Sequence, residues 1–176
     1  FVMSVPPENP RGPAPVLNIR DSNYHTNFRI SGDGEVLILT DSLRNMIDSI
    51  SFGPVPSDIS FGRSGDQPEQ WVYFEEATPG EENAAEGIAG LVTETVTYSP
   101  AAGFFEGTRD VYLGHTAAGG VIRYTVDGSE PTIHSPLYEE KIILQTSTVI
   151  RARIFREGSL PGKISTHSYI DRDDMD

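Results

Sequence analysis

The chain has no cysteine, so disulfides and thiolate metal sites are excluded and the redox compartment stays open. Lysine is nearly absent, with Lys141 and Lys163 the only two. No apolar run approaches the ~20 residues needed to span a bilayer, which excludes a helical membrane span. No N-x-[ST] acceptor occurs. His25, His115, His134 and His167 stand too far apart for the H-x-x-x-H or H-E-x-x-H spacing of a zinc site. There is no G-x-S-x-G elbow, because Gly62-Arg63-Ser64-Gly65 lacks its spacing. Gly32-Asp33-Gly34 has no third glycine to make a dinucleotide loop. Gly158 to Ile164 falls one residue short of a phosphate-binding loop and lacks Ser or Thr after Lys163. No secretory leader is visible, but a chain opening on Phe1 reads as an excised or processed piece of a longer protein.

What is present is acid, glycine and proline. The formal net charge is −13, with −9 on residues 1–87 and −4 on residues 88–176. A polyanion repels nucleic-acid phosphates and acidic headgroups, so neither is an expected partner. With 17 Gly and 13 Pro in 176 residues, long helices are disfavoured and the expected class is all-β.

Along the chain, residues 1–26 form a proline-rich lead-in, with a short edge strand expected at Val16–Ile19. Phe28–Ile30 and Glu35–Thr40 flank the turn Ser31-Gly32-Asp33-Gly34 as an expected hairpin. Val36 to Leu39 are apolar on both faces, the pattern of a covered central strand. A turn at Asp41–Asn45, with Asn45 left-handed, leads into Ile47–Phe52. Further strands are expected at Ile59–Arg63 and Trp71–Phe74. Residues 27–83 thus make a first module, and 84–91 a small, acidic linker. The second module, 92–170, shows strands at Thr93–Ser99, Asp110–His115, Gly120–Val126, Lys141–Leu144, Thr148–Phe155 and Ile164–Ile170. In Thr148–Phe155, Ile150, Ala152 and Ile154 alternate with Val149, Arg151, Arg153 and Phe155, a buried face against one where arginine stems lie on the sheet. Residues 171–176 are an acidic tail, or a linker to a further domain. The expected fold is two tandem Ig-like antiparallel β-sandwiches, with the completeness of the first left open.

Candidate site residues are few. Trp71 and Tyr73 share one strand face; with Tyr138, beside Phe104 and Phe105, they are candidates for stacking a sugar or simply for the core. Asp127 and Gly128 end the strand Val121–Val126, Gly supplying positive φ and Asp capping its own backbone, so they read as a structural turn. The run Asp171–Asp176 offers alternating carboxylates to a hard cation but lacks the glycine and terminal Glu of an EF-hand loop. Adjacent acids such as Glu139-Glu140 point to opposite strand faces and make no acid–base pair. No catalytic residue, metal ligand or cofactor site is assigned.

Two resemblances sharpen these expectations. N-F-R-I-S-G-D-G-E-V-L-I-L-T-D (Asn27–Asp41), I-D-S-I-S-F-G (Ile47–Gly53), S-F-G-R (Ser60–Arg63), W-V-Y-F (Trp71–Phe74) and T-P-G-E-E-N (Thr78–Asn83) resemble, in order and spacing, the second half of a lamin-tail domain of the secreted bacterial type. The apolar strand, acidic N-E and D-W-I-E-L-type strand that open that family are missing here. I-R-Y-T-V-D-G-S-E-P-T (Ile122–Thr132), S-P-L-Y (Ser135–Tyr138) and T-V-I-R-A-R-I-F (Thr148–Phe155) are similar to a chitobiase/β-hexosaminidase C-terminal-type domain, an Ig- or fibronectin-like sandwich. That order of modules resembles secreted proteins carrying a CotH-type kinase-like domain. The resemblance implies non-catalytic accessory modules that space or attach a neighbouring domain, outside the cell, in the periplasm or on the cell surface. The implied partners are that neighbouring domain and a surface glycan or protein. The alternative is a carbohydrate-binding module using Trp71 and Tyr73.

Overall fold

The computed structural model describes residues 29–79 and 81–175, without the side chain of Met175. The expected lead-in 1–26, the strand at Val16–Ile19, Phe28 and His25 lie outside the described residues. The chain divides into two compact units, the break falling between Gly87 and Ile88. Every regular element among the described residues is a strand, save one 3₁₀ turn at Arg172–Met175.

In the first unit β1 (Glu35–Thr40) pairs antiparallel with β2 (Met46–Phe52), Leu37 opposite Ile50 and Leu39 opposite Asp48. Their connection is built on Asp41, whose carboxylate accepts the amides of Leu43 and Asn45 at 2.8 Å each and the Asn45 side-chain amide at 2.8 Å. Arg44, not Asn45, takes the left-handed conformation, with φ 69°. The carboxylate engages both the backbone and the side chain of Asn45, which leaves the positive-φ position to the residue before it.

The Ser31–Gly34 turn forms, but Arg29 and Ile30 are not strand. Among the described residues, the strand paired with β1 is β2, downstream of it. Val36 is 51% exposed, so β1 is not covered on both faces by the described residues.

A second hairpin joins β3 (Ser60–Arg63) to β4 (Trp71–Phe74), Phe61 opposite Tyr73 and Arg63 opposite Trp71. The face of this hairpin bearing Val72 and Phe74 is buried. Asn83, at the end of the expected first module, and Ala84 and Ala85 of the expected linker lie close against it. Asn83 Nδ2 donates to the Arg63 carbonyl at 2.7 Å, Ser64 Oγ donates to the Ala85 carbonyl, and the Gly65 amide to the Ala84 carbonyl at 2.9 Å. A Cβ on Gly65 would stand 2.5 Å from the Asn83 carbonyl oxygen, so only glycine permits this approach.

The second unit begins with β5 (Gly90–Leu91), also inside the expected linker, which pairs in parallel with β12 (Ser159–Leu160). Both short strands escape the alternation pattern because two residues carry no period. Around them stand two sheets. One has the order β10 (Ile142–Leu144), β8 (Arg109–Gly114), β6 (Thr97–Ser99); the other has β7 (Gly103–Phe105), β13 (Ser165–Asp171), β11 (Thr148–Phe155), β9 (Val121–Thr125). Pairing is mostly antiparallel, but β7 joins β13 in parallel, which departs from the purely antiparallel expectation.

The sheets enclose one core. Ile150, Ala152 and Ile154 of β11 are wholly buried and meet Val111 of β8, Leu144 of β10 and Tyr169 of β13. Full burial of a side chain of this size stabilises by about 1.5–3 kcal/mol, so the isoleucines of β11 contribute substantially to the second core.

Candidate functional site

The residues that the sequence marks as candidates fall at three separate places. The first is the aromatic face of the β3–β4 hairpin. Trp71 is half-buried; its ring lies 5.6 Å from that of Phe61 at 28°, and the Arg63 guanidinium carbon sits 5.3 Å from its centre. Tyr73 is buried and 4.8 Å from Phe61, its hydroxyl donating to the Pro54 carbonyl at 3.1 Å. Burial raises its phenol pKa above the ordinary tyrosine value. The two rings share a face as the alternation predicts, but only Trp71 has surface left over, and that ring is already engaged by Phe61 and Arg63.

This face borders an open apolar groove of about 510 Å³, lined by Leu37, Leu39, Ile50, Phe52, Phe61 and Trp71. Asp48 stands at its side, paired with Arg63 at 3.3 Å. No sequence motif announced the groove. It arises because β1 and β2 turn their same-face residues, Leu37, Leu39 and Ile50, toward the aromatic side of the other hairpin.

The second place is the loop after β9. The Asp127 carboxylate accepts the Ser129 amide at 3.0 Å and the Ser129 hydroxyl at 2.6 Å, and Gly128 takes φ 81°. The Ser129 hydroxyl and amide hold the Asp127 carboxyl below its ordinary value. Thr125 Oγ1 donates to the Ser129 carbonyl at 2.6 Å.

Arginines from the outer sheet face then pin the crossing chain. Arg151 donates to the Gly128 carbonyl at 2.9 Å and pairs with Glu130 at 3.1 Å, while Arg123 donates to the Ser135 carbonyl at 2.6 Å. On the same face Arg153 donates to the Gly162 carbonyl. Pro131 is buried while its neighbours are exposed. Asp127 and Gly128 form a turn closed by the Asp127 carboxylate. The arginine stems that lie on the sheet end in guanidinium clips on loop carbonyls.

Tyr138 is half-buried against the core, edge-on to Tyr124 at 6.3 Å and 79°. It also borders a hollow of about 390 Å³ with Leu113, His115 and Leu137. The expected company of Tyr138 with Phe104 and Phe105 does not form. β7, which carries those two, is at the opposite edge of the sheet from β9, where Tyr138 donates its amide to the Ile122 carbonyl at 2.9 Å. Phe105 points into the core and Phe104 lies exposed under Arg172.

The third place is the acidic tail. Asp171 belongs to β13 and is 4% exposed. The Asp173 amide donates to it at 3.2 Å, and the Asp174 carboxylate accepts the Ser147 amide at 2.7 Å. That backbone bond, then the Ser147 side chain, lowers the Asp174 pKa. Residues 171–174 thus cap the turn before β11, because the carboxylates of Asp171 and Asp174 each accept a backbone amide. Among the described residues no three His, Asp or Glu side chains come close enough to hold a metal ion.

His167 stacks face to face on Tyr98, 3.8 Å between ring centres. Burial lifts the Tyr98 phenol to about 12 although its hydroxyl donates to the Ser165 carbonyl at 2.8 Å. No nucleophile stands beside a base in this pair, and its contacts tie β6 to β13.

Three strands facing four around a single apolar core make the second unit an Ig-like β-sandwich. Residues 100–166 match the family model of the chitobiase/beta-hexosaminidase C-terminal domain, well under half of the chain. Domains of that kind are non-catalytic accessory Ig-like domains. No curated protein and no solved structure matches the chain. No helix among the described residues is long and apolar enough to cross a membrane.

Proposed function

We propose that the chain is a pair of accessory β-modules from a larger secreted or surface-attached bacterial protein, serving to space, orient or attach a neighbouring domain. The observation that carries this reading is the match of residues 100–166 to an accessory Ig-like domain, on a unit whose distinctive loop residues are all spent on turn and clip bonds. Of the charged groups that a site would need, Asp127 is satisfied by Ser129, while Arg151 pairs with Glu130 and donates to the Gly128 carbonyl. The lamin-tail likeness of residues 27–83 extends the reading to the first unit, and the order of the two agrees with a CotH-type kinase-like neighbour.

Asn83, Ala84 and Ala85 are tied to the first unit, and Gly90-Leu91 to the second. The coding sequence on either side tests the reading: a further folded domain in the same polypeptide is expected, and a frame holding only these two modules would contradict it.

The carbohydrate-binding alternative rests on Trp71, since Tyr73 is buried. Titrating the chain with oligosaccharides while following Trp71 emission decides it. No saturable change is expected; a saturable change lost in Trp71→Ala would establish the alternative.

A further inference from the structure

The hollow of about 390 Å³ in the second unit is a product of its topology. Residues 136–138 run beside β9, where the Tyr124 amide donates to the Pro136 carbonyl at 3.1 Å and the Tyr138 amide to the Ile122 carbonyl at 2.9 Å. The chain then crosses to the other sheet and joins β8 from Ile142, opposite Val111. A strand that changes sheets leaves a fork behind it, and Leu113, His115, Val121, Leu137 and Tyr138 wall this one. We propose that the fork binds one residue of a neutral glycan. The C–H face of the sugar lies on Leu137 and the Tyr138 ring, and its hydroxyls meet the His115 imidazole and the Tyr138 phenol.

Three observations select that ligand. Among the described residues no Asp, Glu, Lys or Arg lines the hollow, so neither a cation nor an anion finds a counter-charge there. Its polar side chains are an imidazole and a phenol, and each can donate and accept, as the hydroxyls of a sugar do. The walls are also mixed in character. Leu137 and Val121, each 41% exposed, present apolar surface beside Tyr138, yet His115 carries a buried Nδ1 with no hydrogen-bond partner. A wholly apolar ligand would take the imidazole and the phenol out of water without replacing their bonds, whereas a ring with a C–H face and a hydroxyl rim serves both kinds of wall. Finally, the site is rigid before any ligand arrives. A Cβ on Gly120 would stand 2.8 Å from Ile154 Cγ2 and 3.1 Å from His115 Cε1, so the imidazole packs directly on the Gly120 backbone. A hollow of about 390 Å³ lies at the small end of the range for ligand pockets, which suits a single ring. This inference gives the second unit a ligand of its own, independent of Trp71, and it holds whether or not the chain serves a neighbouring domain.

Amide ¹H–¹⁵N spectra of the full chain test it, titrated into the millimolar range with neutral hexoses, 6-deoxyhexoses, pentoses and N-acetylhexosamines, and with phenol and sodium sulfate as counter-probes. At least one sugar should shift the amides of Leu113, Gly120, Val121 and Tyr138 saturably; phenol should bind more weakly than that sugar, and sulfate should shift none of them. Tyr138→Phe, which keeps the ring and its packing, and His115→Gln should each weaken the binding several-fold. Tyr112→Ala removes an exposed ring of β8 outside the hollow and should leave it unchanged. No saturable shift with any sugar, binding of phenol or sulfate at least as tight as that of the best sugar, or full affinity in both Tyr138→Phe and His115→Gln would each overturn the proposal.

Discussion

Truncating Ile150 to alanine separates the two faces of β11 and the two units of the chain in one experiment. Ile150 is wholly buried, and Val149 beside it, on the outer face, is 39% exposed. Removing three carbons from a closed core loses transfer energy and leaves a cavity, about 2–5 kcal/mol for Ile to Ala. Taking about 3 kcal/mol, and 4–8 °C per kcal/mol for a domain of this size, the second unit should melt roughly 12–24 °C lower. Val149→Ala removes two carbons from a surface still in water and should cost under about 1 kcal/mol. Calorimetry measures the overall effect, and Trp71 fluorescence follows the first unit alone, since the only tryptophan is there. The Trp71 transition should not move. If Val149→Ala cost as much as Ile150→Ala, β11 would be misregistered. If Ile150→Ala carried the Trp71 transition down with it, the units would not be independent.

The Asp127 carboxyl, held down by Ser129, contributes stability that is complete above the ordinary carboxylate value and lost as pH falls below about 4 through its folded pKa. Melting of wild type and Asp127→Asn between pH 7 and 2.5 should therefore converge at the acid end; parallel curves would refute the cap. Tyr98 works in the opposite direction. Its folded pKa, about 12, lies above the free phenol value, so stability present below about pH 10 is lost as pH rises toward 12. Tyr98→Phe should flatten that alkaline loss, and a spectrophotometric titration should show one phenol ionising last. Gly65→Ala forces a Cβ against the Asn83 and Ala84 carbonyls, whereas Gly53 has nothing within 4 Å of that position. Limited proteolysis should cut G65A several-fold faster near Asn83–Gly87 and leave G53A like wild type; equal rates would mean that residues 83–85 are not pinned.

Much of the second unit was legible in the residues. Ile150, Ala152 and Ile154 announce their burial by alternation, and Asp127-Gly128 announces its turn. The strands that escaped, β5, β7 and β12, are two or three residues long and held by backbone pairing, which leaves no side-chain period to read. Asp171–Asp174 reads as a solvated tail because charge dominates its composition; its amide partners are Ser147 and its own backbone. Val36–Leu39 misleads for a related reason. Four apolar residues in a row look covered on both sides, and the described chain covers one. The groove beside Trp71 lies in the gap between two hairpins, so no local pattern could reveal it. Sharing of one strand face by Trp71 and Tyr73 was readable, but the carbonyl of Pro54 that the Tyr73 hydroxyl reaches, 19 positions away, was not.

The account stands or falls on whether residues 88–176 carry a complete core of their own. Amide ¹H–¹⁵N spectra of that segment alone, laid over those of the full chain, measure this directly. Coincident resonances for β8, β11 and β13 and an unchanged melting temperature are predicted. A collapsed, unfolded spectrum, or wholesale shifts across those three strands, would contradict it.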